Sequence, residues 1–380
     1  MRKKIFIVTT VPETFANILK EQPRFLSKYF DVQMVTSCDD NLSSVNEGVK
    51  VHCVPMVRGI NILRDLISVL KMITLFLKER PLLVHSYTPK AGMVTMLAAF
   101  ICRVPVRIHT FTGLIFPTQS GFKKKLLINI DRLTCACATT VVPEGKGVEN
   151  DLVNYRVTLK PMNVIGHGNI AGVNIDFFKS GLEFVRSKVD ALRIELGFSN
   201  DSFVFCYVGR LNRDKGLKEL AEAFTKCPAH VHLLIVGGHD VQAPVDARTL
   251  DVLQQHKRIH LLGFQDDIRI ALEASDALVL PSYREGFPNV VLQAGAMSKP
   301  CVVTDISGCN EIIEQGVNGW LAKPKDTQSL LRAMFEAIDE TPEKLSRMGA
   351  FARLRVTERF EQTAHWERMK AFYSQELKLD

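Results

Sequence analysis

Two short segments of this 380-residue chain combine charge, glycine and position in a way that suits phosphate chemistry. The first is Tyr207-Val208-Gly209-Arg210-Leu211-Asn212-Arg213-Asp214-Lys215-Gly216, which follows an apolar run and leads into a helical pattern at Leu217. Gly209 lets the chain turn at a sheet edge, Arg210 offers a bidentate grip on phosphate oxygens, and Lys215 adds a point charge. The second is Pro281-Ser282-Tyr283-Arg284-Glu285-Gly286-Phe287-Pro288-Asn289-Val290-Val291-Leu292-Gln293-Ala294. Here a strand, a glycine-containing turn and a helix opening near Asn289, a good N-cap residue, aim backbone N–H groups and a positive dipole end at one point. That is an anion site suited to a diphosphate. Taken alone, the second segment also fits an ordinary strand–helix connection, and the first fits two solvated surface cations.

Short apolar runs alternate with helix-length segments over most of the chain, the pattern of parallel sheets built from βαβ units. The first half predicts strands at Lys4–Thr10, Val32–Ser37, Lys50–Val54, Leu82–Ser86, Val106–Thr110, Thr139–Val142 and Met162–Ile165, with helices such as Ile60–Lys78 and Lys90–Arg103. The second half predicts strands at Phe203–Val208, Val231–Val236, Ile259–Leu262, Ala277–Leu280, Cys301–Thr304 and Trp320–Leu321. The expected fold class is therefore α/β, two Rossmann-like doubly wound parallel sheets with the site in a cleft between them. Gly166-His167-Gly168-Asn169-Ile170-Ala171-Gly172 resists helix and strand alike and suits a hinge. The expected domains are 1–168, 169–357, and a terminal helix over 358–380 that crosses back onto the first domain. Before it, helices are expected over Asp326–Ile338 and Pro342–Val356.

Composition excludes several classes. With 46% hydrophobic and 23% charged residues the chain is that of a globular protein, and no apolar run reaches the roughly 20 residues of a membrane span. Nine scattered cysteines read as reduced, buried thiols of a cytoplasmic protein, since no spacing among them suits zinc or a redox pair. Net charge is +7 and uneven: residues 1–165 hold 22 Lys and Arg against 12 Asp and Glu. No basic run interleaved with aromatics is present, so nucleic acid is not the expected partner. The Lys123-Lys124-Lys125 run and the aliphatic helix from Ile60 to Lys78, with Arg64 and Lys71, fit peripheral contact with an anionic membrane at the inner face of the cytoplasmic membrane. They fit equally an exposed charge cluster and a mostly buried helix.

In chain order, Gly209-Arg210-Leu211 with Lys215-Gly216, Val236-Gly237-Gly238, Leu262-Gly263-Phe264 and the segment Pro281–Ala294 resemble the retaining glycosyltransferases of family 4. The resemblance continues through Val303-Thr304-Asp305-Ile306-Ser307-Gly308, Glu311 and Asn318-Gly319-Trp320-Leu321. Earlier, His85-Ser86-Tyr87-Thr88-Pro89-Lys90-Ala91-Gly92 and Gly172-Val173-Asn174 with Phe178 also fit. It implies the GT-B fold and metal-independent transfer of a hexosyl or N-acetylhexosaminyl group, with retention, from a nucleotide-diphosphate sugar, UDP or GDP. No other cofactor is implied. The implied acceptor is a glycan or polyprenyl-diphosphate-linked glycan of capsule, O-antigen or lipopolysaccharide assembly. The donor-binding set that follows is Gly209, Arg210, Lys215, Gly237, Phe264, Glu285, Gly286, Phe287, Pro288, Asn289, Val290 and Gln293. Arg210 and Lys215 match the diphosphate clamp, Glu285 the first glutamate of a Glu-x7-Glu motif, and Phe264 a segment near the base. The catalytic candidates are Glu285, His109 and Thr112.

The chain departs from the family's pattern in three places. Relatives often place a histidine where Thr112 stands, and His109 lies three residues earlier, readable as a cleft residue or as a core histidine satisfied by a carbonyl. The first loop, Thr10–Phe15, also lacks the family's glycine pair. A nucleotide-sugar 2-epimerase or a degenerate partner subunit of the same fold remain the alternatives, whereas a dehydrogenase would need a Gly-x-Gly-x-x-Gly after the first strand. The second motif glutamate is Gln293, whose amide offers one acceptor oxygen to a ribose diol where a carboxylate offers two. Gln293→Glu is therefore expected to tighten donor binding about three- to tenfold, the gain of a charge-assisted bond, read as the dissociation constant by calorimetry.

Overall fold

The computed structural model describes residues 2–38, 42, 45–57, 59, 61–241 and 243–379, so Ile60 lies outside the described residues. The chain divides into two units, Met1–Gly172 with Gln362–Asp380, and Val173–Glu361.

The first unit begins β1 (Lys4–Val8), α1 (Gln22–Leu26), β2 (Asp31–Thr36), β3 (Lys50–Cys53), α2 (Ile62–Glu79), β4 (Leu83–Tyr87) and α3 (Pro89–Ile101). It continues with β5 (Val106–Phe111), α4 (Gly121–Cys137), β6 (Thr140–Pro143) and α5 (Lys146–Asn154). The second unit opens with α6 (Glu183–Glu195), β7 (Phe203–Val208), α7 (Leu217–Phe224), β8 (Val231–Val236), α8 (Ala247–Gln255), β9 (Ile259–Gly263) and α9 (Arg269–Glu273). It ends with β10 (Ala277–Leu280), α10 (Asn289–Ala296), β11 (Cys301–Thr304), α11 (Cys309–Ile312), β12 (Gly319–Ala322), α12 (Thr327–Ile338) and α13 (Pro342–Phe360). The last helix, α14 (Gln362–Glu376), returns to the first unit.

Each unit holds a six-stranded sheet, β3-β2-β1-β4-β5-β6 and β12-β11-β10-β7-β8-β9, with every described pairing parallel. Helices cover both faces of a parallel sheet, which explains why the central strands are apolar without alternation: β10 reads Ala-Leu-Val-Leu and is buried throughout. In both sheets the strand order reverses between the first and fourth strands, at β1/β4 and at β7/β10. At such a switch point the two following loops leave in opposite directions and open a crevice.

The structure corrects four sequence expectations. Met162–Ile165 is not a strand; only the isolated bridge Val141–Met162 forms, and Pro161 just before it has no N–H to extend a ladder. The helix expected over Pro342–Val356 runs on to Phe360, and the last one starts at Gln362. The units consequently divide after Gly172 and Glu361 instead of after 168 and 357. The reason is a backbone crossing: the Val173 N–H donates to the Phe360 carbonyl at 2.7 Å, and Val173 bridges Glu361. All nine cysteines are free thiols; Cys38 and Cys53 are exposed, against the expectation of burial.

Helix α14 is tied to the first sheet by polar side chains in an apolar setting. The Tyr373 hydroxyl pairs with His85 Nδ1 at 2.8 Å, and His85 Nε2 pairs with Thr110 Oγ1 at 2.6 Å. Burial holds His85 well below the usual histidine range, and pushes His109 and His365 down to about 4. These rings are neutral when folded, and an unfolded chain takes up their protons first. Stability is therefore complete above pH about 6.5 and lost as pH falls toward about 4, at up to about 1.4 kcal/mol per unit per ring. Urea midpoints of the full chain at pH about 7 and about 5 should differ accordingly. In Tyr373→Phe a further loss of about 1–3 kcal/mol is expected, because His85 Nδ1 is left buried without its partner.

Candidate functional site

Strands β7 and β10 lie side by side at the second unit's switch point, with Ala277 opposite Phe205 and Leu278 opposite Cys206. The loops after them are the two segments singled out for phosphate chemistry, and they meet. Lys215 Nζ lies 2.6 Å from Glu285 Oε1, both side chains largely buried. Arg284 Nε donates to Asp214 Oδ2 at 2.9 Å, and the Tyr283 N–H donates to the Asp214 carbonyl at 2.8 Å. Gly216 makes this meeting sterically feasible: its φ is +67°, and a Cβ there would come within 2.0 Å of the Pro281 carbonyl oxygen.

Arg210 stands at the same edge, 60% exposed, with Nη1 2.6 Å from Asp240 Oδ2. Asp240 also accepts from Asn212 Nδ2 at 3.2 Å, so it aims the guanidinium and steadies the loop together. The Tyr207 hydroxyl donates to the Arg210 carbonyl at 2.9 Å, fixing the turn from below. Gly237, after β8, crosses so close to Gly209 that a Cβ would fall 1.9 Å from the Gly209 carbonyl oxygen. Its N–H donates to the Gly263 carbonyl at 2.8 Å, which brings the Leu262-Gly263-Phe264 turn onto the same rim, where Phe264 is 74% exposed. Two polar atoms in the paired loops, Asn212 Oδ1 and Ser282 Oγ, are buried and have no hydrogen-bond partner among the described residues. Such orphans are rare and costly outside functional sites.

In α10 the structure changes one detail. Asn289 is the first helical residue and not the N-cap; Pro288 takes that position with extended backbone and makes no side-chain cap. A proline fits there because its φ is already fixed near the value observed, −71°. Gly286, Asn289 and Val290 are half-buried, Phe287 and Pro288 are buried, and Gln293 is half-buried within the helix.

His109 and Thr112 belong to the first unit. His109 is 1% exposed, with Nδ1 2.9 Å from Ser86 Oγ and 3.2 Å from the Ser86 carbonyl oxygen. Its ring lies over Gly92, where a Cβ would come within 2.3 Å of it, and meets Phe111 edge-on at 4.5 Å. These are the contacts of a core histidine satisfied by a carbonyl. Thr112 is half-buried just after β5. The first unit's own switch point holds a pair the sequence reading did not single out: Thr10 Oγ1 and Thr88 Oγ1 lie 2.6 Å apart, and Thr88 has φ +73°. A β-branched residue in that region is held against its preference, as functional-site residues often are. The signal available was their position, each just after a strand of the switch point. Asp240 was likewise missed, although it stands two residues after Gly238. Among the described residues no three His, Cys, Asp or Glu side chains gather in a way that could hold a metal ion.

Residues 188–355 match the family described as glycosyl transferases group 1, and residues 24–168 match the glycosyl transferase 4-like domain. The chain is 31% identical, over 99% of its length and 98% of the relative's, to the capsular polysaccharide biosynthesis glycosyltransferase CapM of Staphylococcus aureus. It is 27% identical to the UDP-Gal:alpha-D-GlcNAc-diphosphoundecaprenol alpha-1,3-galactosyltransferase of Escherichia coli, over 93% and 92% of the two chains. Its fold is that of Anabaena HepE, solved in complex with UDP, with a TM-score of 0.80 over 98% of this chain and 100% of the other at 22% identity.

Because the meeting of the two loops depends on Gly216, Gly216→Ala is expected to cost at least about 2 kcal/mol of unfolding free energy, from the positive φ and the clash together. Gly238→Ala, where a Cβ meets nothing within 4 Å, is the control and should change the urea midpoint little.

Proposed function

The chain belongs to the glycosyl transferases of group 1 and carries the GT-B fold, and from that premise we propose that it moves a hexosyl or N-acetylhexosaminyl group from a UDP-sugar to a lipid-linked glycan in bacterial surface polysaccharide assembly. The observation that carries the donor half of this reading is the contact of Lys215 with Glu285 at 2.6 Å, beside an Arg210 held by Asp240, at the switch point of β7 and β10. A pyrophosphate laid over that rim meets two fixed cations, and a sugar attached to it meets the carboxylate of Glu285. Phe264 offers an exposed ring to the base. The UDP of the HepE complex and the UDP-Gal named for the Escherichia coli relative support the choice of nucleotide. That relative's diphosphoundecaprenol acceptor supports a lipid-linked one here, taken up by the first unit at the inner face of the cytoplasmic membrane.

In the proposed step the bond between the anomeric carbon and the diphosphate oxygen breaks, and the nucleoside diphosphate leaves with the electron pair. The acceptor hydroxyl oxygen bonds to the same face of the anomeric carbon, and its proton passes to the departing phosphate. Arg210 and Lys215 stabilise the charge that grows on the leaving group, so a divalent metal is not required. His109 acts through the strand end that presents Thr110 and Thr112, as a positioning residue.

Thermal shift with UDP-, GDP-, ADP- and dTDP-sugars tests the donor, since a ligand that prefers the folded state raises its Tm. A UDP-sugar is expected to raise it most, and no shift with any of them overturns the reading. Lys215→Ala should lower kcat/KM roughly 100-fold or more while the fold persists, the scale of losing one preorganised charge at a leaving group. Chelator should leave the rate unchanged, and the donor incubated without acceptor should not epimerise.

A further inference from the structure

Helix α2 has a solvent face that does not suit water. Ile62, Leu63, Leu66, Ile67, Leu70 and Leu77 are all exposed, Ile62 by 81% and Leu63 by 76%. At 3.6 residues per turn they fall within an arc of roughly 140°. The helix packs its opposite side, Ser68, Val69, Met72 and Phe76, into the first unit. The exposed apolar arc is thus not the core-facing stripe of an ordinary amphipathic helix but a second one. Contiguous apolar surface of this kind marks a site of contact.

The charges say with what. Beside the arc stand Arg64, Lys71 and Lys78, all exposed. The two acids of the helix are both committed inward: Asp65 pairs with Lys90 at 2.6 Å, and Glu79 with Lys4 and Lys50 at 2.8 Å each. Among the described residues, the charge left without an ion pair beside the apolar arc is cationic. Leu70, Lys71 and Lys78 also edge a recess of about 400 Å³ closed by His52, Cys53 and Thr74. A second cationic and apolar tip sits on α4, two helices along the same layer, where Phe122 is 80% exposed next to Lys123 and Lys125. In a parallel sheet with right-handed crossovers the helix N-termini share the edge at which the strands end, so Ile62, Leu63 and Phe122 stand at the ligand edge of the unit. Among the described residues no helix is long and apolar enough to cross a membrane.

We propose that this face of α2, with the Phe122–Lys125 tip of α4, is the surface on which the protein docks to an anionic lipid bilayer, α2 lying in the interface plane with its aliphatic side chains among the acyl chains and its lysines at the headgroup phosphates. The inference rests on the lipid-linked acceptor proposed above, and it names where the protein meets the membrane that holds it. A second copy of this chain is the other apolar partner to consider, but a two-fold contact would set one cationic strip against the other.

The test is co-sedimentation of the full chain with vesicles of equal parts phosphatidylglycerol and phosphatidylcholine, against phosphatidylcholine alone. Binding is expected to the anionic vesicles and to weaken with salt. The triple variant Leu63→Gln, Leu66→Gln, Leu70→Gln should lower partitioning at least about tenfold, with its circular dichroism melt and its thermal shift with UDP retained. Lys71→Gln with Lys78→Gln should remove most of the preference for anionic lipid. Wild-type protein that ignores both vesicles, or a triple variant that binds as wild type does, overturns the inference. So does a wild-type dimer in light scattering that the triple variant dissolves without any vesicle binding. If vesicle binding fails while UDP still shifts the Tm, this surface is wrong and the transferase reading stands; if vesicles bind and no nucleotide sugar shifts it, the donor reading is the one that falls.

Discussion

The pairing of β7 with β10 is the constraint from which the site follows. The two strands are separated by three helices and two other strands, yet they lie adjacent at the sheet's switch point, so loops 70 positions apart share one edge. Hydrophobic burial of strands that are apolar on both faces fixes that adjacency. What the loops then do is electrostatic. Lys215 and Glu285 neutralise one another at 2.6 Å where both are largely removed from water, an arrangement in which either charge alone would be costly. Arg210, by contrast, is mostly exposed and is held by Asp240. Of these two cations one is thus exposed and the other largely buried, each paired with a carboxylate beside it.

The two units repeat one topology with different chemistry at the equivalent place. At β7/β10 the switch point is lined by cations and carboxylates. At β1/β4 it is lined by the hydroxyls of Thr10 and Thr88, 2.6 Å apart, with Thr10 Oγ1 also accepting from the Ala91 N–H at 3.2 Å. The sheet supplies a crevice in both cases and the loops decide what it can hold, which is why architecture alone says little about ligand. The positive φ of Thr88 belongs to this logic. It is a local strain that the Thr10 contacts hold in place, at the position where a strand hands over to the N-terminus of α3.

The first unit also illustrates how polar groups are kept inside a parallel α/β core. His85, Thr110 and Tyr373 form a chain of contacts that satisfies each ring and hydroxyl while joining strands β4 and β5 to the last helix. His109, one residue before Thr110, is satisfied by Ser86 instead. Removing any member strands its neighbour, so these residues specify packing as well as stability. The helix layer above that core carries the opposite feature, aliphatic side chains turned outward beside unpaired lysines, an arrangement that folding does not need.

Much was legible in the residues themselves. Strand-forming runs such as Phe203–Val208, Val231–Val236, Ala277–Leu280 and Cys301–Thr304 stand where the apolar pattern put them, because strands buried on both faces leave a continuous signal. The types and spacing of Arg210, Lys215 and Glu285 singled out two loops after strands, and the structure brings those loops into contact, with Lys215 2.6 Å from Glu285. What the sequence did not carry were contacts between distant residues. Asp240 beneath Arg210, Thr10 against Thr88 and Tyr373 on His85 depend on strand order, which no local period encodes. The start of the last helix at Gln362 was set by the backbone crossing of Val173 with Phe360 and Glu361, not by propensity. The sequence by itself determined which elements form and what chemistry their loops can offer; only the tertiary structure decided which loops meet, because adjacency in a parallel sheet is fixed by burial of whole strands and not by order along the chain.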